Sequence, residues 1–90
     1  MAFEWDQTKN EANVRKHGIQ FADAVKIFDG LVVTRIDDRF DYGEVRMVST
    51  GAVGGILMVT VVHTDRNGRT RLISARLASP KERKGYEASI

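Results

Sequence analysis

The fold of this chain is decided by residues 56–76, which read ILMVTVVHTDRNGRTRLISAR. The first seven residues of this stretch are almost continuously apolar and mostly β-branched, which is typical of a strand covered on both faces. Asn67-Gly68 is a strong hairpin signal, because a two-residue turn of matching twist needs positive φ at both positions. A second strand-like run, 70–77, follows the turn. The stretch therefore predicts the central hairpin of a small sheet.

The turn also determines which residues of the two strands face each other. A two-residue turn pairs Arg66 with Arg69, and opposite residues share a face of the sheet. Continued without interruption, this register puts His63 and Arg76 on one face, at levels roughly 13 Å apart along the strands. That face comprises Leu57, Val59, Val61, His63, Leu72, Ser74 and Arg76, and the other comprises Met58, Thr60, Val62, Ile73, Ala75 and Leu77. The second face is the more uniformly apolar, so we expect it to carry the helices and the first to be partly open.

Two helices are predicted before the sheet. Phe3-Glu4-Trp5 could form a short edge strand, and Asp6 is a good N-cap for a helix over 7–16 that ends at Gly18. This first helix has few apolar residues and should be largely exposed. The second helix is indicated by apolar residues at i, i+3, i+4 and i+7, namely Phe21, Ala24, Val25 and Phe28. Its N-cap position holds Gln20, which caps poorly.

The rest of the chain supplies further strands and a last helix. The strand-like runs are 31–36 and 44–50, with a charged loop at 37–43 and a turn at 51–55. Ser79-Pro80-Lys81-Glu82 predicts the start of a helix that extends to about Ala88, because Ser caps, Pro suits the first helical position and Glu82 can close a capping box. Short connections between consecutive strands make the predicted sheet antiparallel.

These elements predict an α+β fold in a single domain over residues 1–90. Two N-terminal helices and a C-terminal helix should pack on a four-stranded antiparallel meander sheet. The short N-terminal strand could be added to it.

Composition and charge limit the kinds of site and partner. The chain has no cysteine, which excludes a disulfide or a thiolate metal site. Its amino terminus is acidic without an apolar run, and no stretch reaches the roughly 18 apolar residues of a membrane span, so we expect a cytoplasmic protein with no membrane contact. Residues 1–45 carry a net charge of −3 and residues 46–90 one of +5. This asymmetry suggests a polyanionic partner as readily as a solvated basic face.

Three aspartates, Asp37, Asp38 and Asp41, cluster in the predicted charged loop. They have no nearby His or Glu framework and are typical of turn residues rather than metal ligands. The sequence therefore predicts no metal site, and we expect no cofactor.

Short blocks of residues from one end of the chain to the other form a recognisable set. They are Phe3-Glu4-Trp5-Asp6, Lys9-Asn10, Asn13, Arg15-Lys16-His17-Gly18-Ile19, Phe21, Ala24, Arg46, Gly51, Val62-His63-Thr64, Ile73-Ser74-Ala75-Arg76, Glu82-Arg83 and Tyr86. On these residues the chain resembles the BrnT family of toxins from bacterial toxin–antitoxin pairs. The opening and closing blocks are specific when they occur together in this order. The departures are minor, namely Gln20 in place of a small capping residue and the turn over 52–55.

The resemblance implies a compact RelE-like fold, a ribonuclease activity that arrests translation, and neutralisation by a cognate antitoxin, BrnA. In that family the antitoxin carries the DNA-binding domain, so operator DNA is reached only through the antitoxin. The expected partners are therefore a BrnA-like antitoxin and RNA, including ribosome-bound mRNA.

A ribonuclease that works without a metal needs a base near the 2′-OH, cations on the phosphate oxygens and a proton for the leaving 5′-oxygen. With the resemblance, the candidate catalytic residues are Arg46, His63, Arg76, Arg83 and Tyr86. Arg46 and Arg76 could hold one phosphate, because the planar guanidinium donates in pairs, although ordinary strand ion pairs would also explain them. Arg83 and Tyr86 are i, i+3 on the last helix and should point the same way. Tyr86 could equally anchor the core.

The two histidines differ in their predicted positions. His63, at the end of the central strand, is the candidate base, whereas His17 ends the first helix, where a cation favours the helix dipole and a structural role suffices. The candidate RNA-binding residues are Lys9, Lys16, His17 and Arg71. The two lysines could also be merely solvated.

Two classes of function stay open on the sequence. One is a metal-independent ribonuclease toxin, which the arginines, His63 and Tyr86 favour. The other is a non-catalytic binder of the same fold, acting on a protein target such as gyrase or binding RNA without cleavage. The fold alone does not decide between them.

Overall fold

A computed structural model describes residues 2–39 and 41–90 of the chain. In chain order its elements are β1 (Phe3–Glu4), α1 (Gln7–His17), α2 (Phe21–Ala24), a 3₁₀ helix (Val25–Asp29), β2 (Val32–Asp37), β3 (Arg46–Val53), β4 (Leu57–Arg66), β5 (Arg69–Leu77) and α3 (Pro80–Ser89). The predicted α+β class and the predicted order of elements are confirmed. The predicted loop 37–43 includes Phe40, which lies outside the described residues, and its first residue, Asp37, belongs to β2.

The described strands form a five-stranded mixed sheet in the order β1-β5-β4-β3-β2. β2 to β5 pair antiparallel, as predicted. β1 pairs parallel to β5, through Phe3 with Thr70 and Glu4 with Arg71. The short N-terminal strand that the sequence allowed is therefore present as a fifth strand, and its parallel pairing corrects the prediction of a wholly antiparallel sheet. The pairing is parallel because β1 enters the sheet at one edge before the helices, and the meander that starts with β2 at the other edge brings β5 alongside it in the same direction.

The β4–β5 hairpin contains a β-bulge that the sequence does not announce. Asn67 and Gly68 have φ of 54° and 77°, and the predicted pairing holds from the turn as far as His63 with Leu72. Beyond it the register shifts by one, so that Val62 pairs with Ser74 and Thr60 with Arg76, leaving Ile73 as the inserted residue. The predicted register is wrong past this point, since an extra residue reverses the facing of all that follow it.

The helices before the sheet cover one face, here called the helix face. Phe21, Ala24 and Ile27 are fully buried there. They pack with the sheet residues Val59, Val61, Leu72 and Ala75. We expected the helices on the face that carries Met58, Thr60 and Val62, and this was wrong. The core lies on the opposite face, which includes His63.

The second face is partly covered by α3 and is here called the α3 face. It carries Thr60, Val62, Ser74 and Arg76 from the central hairpin. The helix α3 contains no buried residue. It rests on the sheet over Thr60, whose hydroxyl donates to Glu82 at 3.1 Å. Val62 and Ser74 stay half-buried beside it.

Two buried asparagines hold α1, which has no apolar face of its own. The Asn13 side-chain amide donates to the carbonyls of Ile19 and Ala75, and its oxygen accepts from the Ala75 amide at 3.0 Å. Asn13 thus pairs with the open edge of β5 as a neighbouring strand would. Asn10 accepts from the Phe21 amide and donates to Gln20. Gln20 makes no side-chain cap for α2, and this bond explains its presence.

A close approach at Gly51 brings the 3₁₀ helix against β3. A Cβ at this position would lie 3.0 Å from side-chain atoms of Ile27 and Val32. Glycine therefore allows the contact that places Ile27 in the core. In the described part of the chain, no helix is long and apolar enough to cross a membrane.

Candidate active site

Arg76 is the centre of the charged group on the α3 face. The β-bulge turns it away from the core and onto the face that α3 covers. Its guanidinium donates to both oxygens of Glu82, at 2.6 and 2.9 Å. This two-bond geometry matches a planar fork to a carboxylate and is the strong form of the contact. The two hydrogen bonds therefore fix the orientation of the Arg76 side chain.

Glu82 is fixed by the start of α3 as well as by Arg76. It closes a capping box with Ser79, accepting from the Ser79 amide at 2.9 Å while its own amide donates to the Ser79 hydroxyl. Arg35 of β2 lies 3.7 Å from its second oxygen. The hydrogen bonds from Arg76 are the main cause that lowers the pKa of Glu82 to about 2. The carboxylate is thus ionised at neutral pH.

An open cavity of about 620 Å³ lies against this cluster. Its lining residues are Arg35, Arg76, Ser79, Lys81, Glu82 and Gly85. Three cationic side chains thus meet one carboxylate, which leaves a net positive charge. Such a cavity suits a phosphate group, because guanidinium and ammonium groups donate to its oxygens and stay charged.

Three charged residues of this cavity are absent from the predicted site, namely Arg35, Lys81 and Glu82. The sequence around Arg35 has the pattern of an ordinary strand. The start of the last helix accounts for Lys81 and Glu82 without any role in a site. Only the alternation of β2, which puts Arg35 opposite Val48 on the α3 face, carried a signal.

Arg46 lies on the same face as Arg76 but not in the same cavity. It enters β3 at the level of Thr64, four residues along β4 from the level of Arg76, or about 13 Å. Its guanidinium stacks over the Tyr42 ring at 4.0 Å and lies 3.4 Å from Glu44. The two arginines therefore lie on one face of the sheet, and Arg46 does not line the cavity at Arg76.

His63 lies on the helix face and is buried. Its Nε2 is 2.7 Å from the Ser49 hydroxyl, and its ring stands nearly perpendicular to that of Phe28 with centroids 5.3 Å apart. Its Nδ1 has no hydrogen-bond partner among the described residues. Burial lowers the pKa of His63, with Asp65 opposing. The expectation that His63 shares a face with Arg76 is wrong, because the β-bulge separates them.

The two candidates on α3 are also separated from each other. Arg83 is exposed, whereas Tyr86 is half-buried and faces a different cavity of about 360 Å³ beside Lys26 and Leu31. Arg83 does not line that cavity. The two side chains therefore differ in exposure and do not line a common cavity.

The four predicted RNA-binding residues divide into two groups. Arg71 donates to Glu4 at 2.7 Å, and both side chains are about one-quarter exposed, so this pair ties β1 to β5. Lys9, Lys16 and His17 instead line one shallow groove along α1. The structure thus brings these three together and leaves Arg71 apart.

The predicted acidic loop forms an ion-pair cluster. Asp37 is buried and accepts from the Arg39 guanidinium at 2.9 and 3.0 Å and from the Tyr42 hydroxyl at 3.1 Å. The bond from Arg39 is the main cause that holds the pKa of Asp37 well below its usual range. Across residues 2–39 and 41–90, no three His, Asp or Glu side chains are grouped as metal ligands.

Comparisons with known proteins bear on this arrangement. The family model for the ribonuclease toxin BrnT of type II toxin–antitoxin systems matches residues 5–82. A crystal structure of the Brucella abortus ribonuclease toxin BrnT is similar with a TM-score of 0.65 and 24% sequence identity, covering 88% of this chain and 97% of that one. That likeness concerns the fold. No relative was found among curated proteins.

Proposed function

Because this chain belongs to the BrnT family of ribonuclease toxins of type II toxin–antitoxin systems, we propose that it is an endoribonuclease that cuts RNA without a metal and arrests translation. The observation that carries the proposal is the convergence of Arg35, Arg76 and Lys81 on one open cavity beside Glu82. These groups supply positive charge where a metal would otherwise be needed.

The proposed reaction uses the RNA's own nucleophile. The ribose 2′-oxygen attacks the adjacent phosphorus while its proton passes to water, the bond from phosphorus to the 5′-oxygen breaks, and the 5′-oxygen takes up a proton from water. The products are a 2′,3′-cyclic phosphate and a 5′-hydroxyl. Negative charge grows on the phosphate oxygens during the attack, so fixed donors aimed at them lower the barrier. Arg76 and Arg35 are the donors, with Lys81 at the rim of the cavity.

Glu82 is proposed as a positioning residue for Arg76. It holds the guanidinium by two hydrogen bonds, and its low pKa makes it a weak base while that contact lasts. A bound phosphate would compete with Glu82 for the same donors. The carboxylate then keeps Arg76 oriented through one bond while the other donor turns to the substrate.

The remaining predicted catalytic residues take different places in the proposal. Arg46 is proposed to contact a neighbouring phosphate on the same face. Arg83, exposed on α3, is proposed to contact RNA outside the cavity. The burial of His63 on the helix face and the separate cavity at Tyr86 argue against a catalytic role for either.

The first test is cleavage of an end-labelled RNA in EDTA by wild type, Arg76→Ala and Arg35→Ala. We expect wild type to leave 2′,3′-cyclic phosphate ends, and Arg76→Ala to lose at least about a hundredfold in rate, as removal of a preorganised oxyanion donor does. Arg35→Ala should lose less, because it reaches the cluster from farther away.

Arg69→Ala is the matched control, since it removes one exposed arginine at the hairpin turn. It should cleave as wild type does. Circular dichroism of each variant separates loss of activity from loss of fold. Undiminished cleavage by a folded Arg76→Ala would remove this residue from the site. Growth arrest without cleavage of free RNA would shift the target to ribosome-bound mRNA or to a protein.

A type II toxin has an antitoxin partner. We propose that a BrnA-like antitoxin neutralises this chain, and that operator DNA is reached only through it. Co-expression of the antitoxin should restore growth arrested by the wild-type toxin. Persistent arrest in the presence of a bound antitoxin would contradict neutralisation.

A further inference from the structure

A second basic groove lies along α1, away from the cavity at Arg76. It has a volume of about 270 Å³ and is here called the α1 groove. Its lining residues are Lys9, Ala12, Asn13, Lys16, His17, Ile73 and Ser74. No carboxylate is among them, whereas each of the other two cavities described above includes an acidic side chain.

The α1 groove is built from one stripe of the helix. Lys9, Ala12 and Asn13, and Lys16 are spaced i, i+3, i+4 and i+7, the pattern with which a helix normally presents apolar residues to a core. Here Asn13 makes the contact to the sheet through the Ala75 backbone, so apolar neighbours are not required. The lysines on either side of Asn13 therefore flank the sheet edge with their charges outward.

These charges are not neutralised within the described protein. Lys9 and Lys16 form no ion pair with any described carboxylate, whereas Arg46, Arg66, Arg71 and Arg76 each have an acidic partner. The unpaired lysines beside His17 leave a local excess of positive charge along about 10 Å of helix, from the rise of seven residues. A polyanion is the ligand class that such a groove suits.

The α1 groove continues onto the α3 face. Ser74 lines the groove and, because of the β-bulge, pairs with Val62 on the same face as Arg76. From Ser74 to Arg76 is two residues of one strand, about 7 Å. The same row of the sheet runs from Ser74 through Val62 and Val48 to Arg35, which lines the catalytic cavity.

We propose that the α1 groove binds the backbone of the substrate RNA beyond the cut site, so that one single strand runs from Lys9 and Lys16 over Ser74 to Arg76. This inference rests on the proposed function and names the substrate as a single strand longer than the cleaved dinucleotide. A backbone-tracking basic groove is the usual means of holding single strands without reading their sequence. The continuity with the cavity favours RNA over an acidic protein segment as the occupant.

The test is binding of a fluorescent 12-nucleotide RNA, 2′-O-methylated throughout so that it cannot be cut, at several salt concentrations. We compare wild type with the double variant Lys9→Ala/Lys16→Ala. The variant should bind at least about tenfold more weakly at low salt. The slope of log K against log salt should fall by about 1.4, from about 0.7 for each lost phosphate contact on a single strand.

The control is Lys26→Ala/Arg69→Ala, which removes the same charge at exposed positions outside the groove and the cavity. It should change the slope by much less. Equal weakening in the two double variants, or none in either, would overturn the inference. So would unchanged RNA binding with weakened antitoxin binding in Lys9→Ala/Lys16→Ala, which would assign the groove to an acidic protein segment.

The same 12-mer without methylation reports the proposed function separately. Wild type that binds the methylated RNA through the α1 groove, yet leaves the unmodified RNA uncut with and without ribosomes, would contradict the ribonuclease proposal and keep the groove. Cleavage of the unmodified RNA by both double variants with equal KM would support the ribonuclease proposal and contradict RNA binding in the α1 groove. In the expected case, KM rises for Lys9→Ala/Lys16→Ala on the 12-mer and stays unchanged on a dinucleotide.

Discussion

At the scale of single residues, the structure depends on polar side chains that complete the backbone hydrogen bonding. Asn13 is the clearest case, because one amide serves two backbone groups of Ala75 and one of Ile19. A buried polar group left without a partner costs more than the bond it lost was worth. Such residues therefore matter to stability although they belong to no apolar pattern.

We predict that Asn13→Ala destabilises the protein by about 2 to 4 kcal/mol, since it leaves two or three buried backbone groups unpaired at roughly 1 to 3 kcal/mol each in the worst case. Urea denaturation measures the change. Gln7→Ala, an exposed substitution at the start of the same helix, should stay within about 0.5 kcal/mol of wild type. A decrease in the free energy of unfolding of less than about 0.5 kcal/mol for Asn13→Ala would contradict the prediction and show that water replaces the amide at little cost.

At the scale of elements, two devices decide where the charged groups meet. The β-bulge at Ile73 directs Arg76 to the α3 face, and the capping box at the start of α3 directs Glu82 toward it. The helix α3 buries none of its residues, so its position depends on this cap and on the contacts of Glu82. The hydrogen bonds that build the candidate site are thus the same ones that hold the last helix on the sheet.

We predict that Ser79→Ala loosens α3 and costs about 1 kcal/mol, the usual loss for an N-cap. Amide hydrogen exchange should rise in the first turn of α3 more than in the sheet. Ser89→Ala is the control, because its hydroxyl donates to the Gly85 carbonyl at the exposed end of the helix. Equal exchange in α3 for both variants would mean that Glu82 alone holds the helix.

At the scale of the whole molecule, the sheet separates a buried apolar core on one face from a group of charged side chains on the other. The helix face buries Phe21, Ile27 and the apolar residues of β4 and β5, together with His63. The α3 face carries the ion-paired arginines and the cavity. Stability therefore depends chiefly on the helix face and the proposed chemistry on the α3 face. Substitutions of the charged residues on the α3 face should accordingly affect activity more than stability.

We predict that His63 makes the stability of the folded protein pH-dependent. Burial holds its folded pKa below its ordinary value of 6.5, so below that pH the unfolded chain binds a proton that the folded chain does not. Stability should consequently fall as the pH is lowered from 6.5 toward 5. Urea denaturation across this range should show a smaller dependence of stability on pH in His63→Gln than in wild type. Parallel curves for wild type and His63→Gln would contradict the prediction.

The sequence by itself determined the elements whose signals are local. The hairpin turn at Asn67-Gly68, the capping box at Ser79 and Glu82 and the order of helices and strands follow from neighbouring residues, and all are present. Arg76 was identified as a candidate in the same way, since it belongs to a block that marks the family.

Tertiary structure alone decided the facing of the strands and the membership of the site. The β-bulge could not be recognised in the sequence of β5. The inserted residue exchanges the faces of the residues that follow it, and an apolar residue such as Ile73 is compatible with either face. That single shift sent His63 and Arg76 to opposite sides. Arg35 reaches Glu82 from β2, an element distant in sequence, and no local pattern specifies that contact. Arg76 is close to Glu82 in sequence, but it meets the carboxylate only because the β-bulge turns it onto the α3 face.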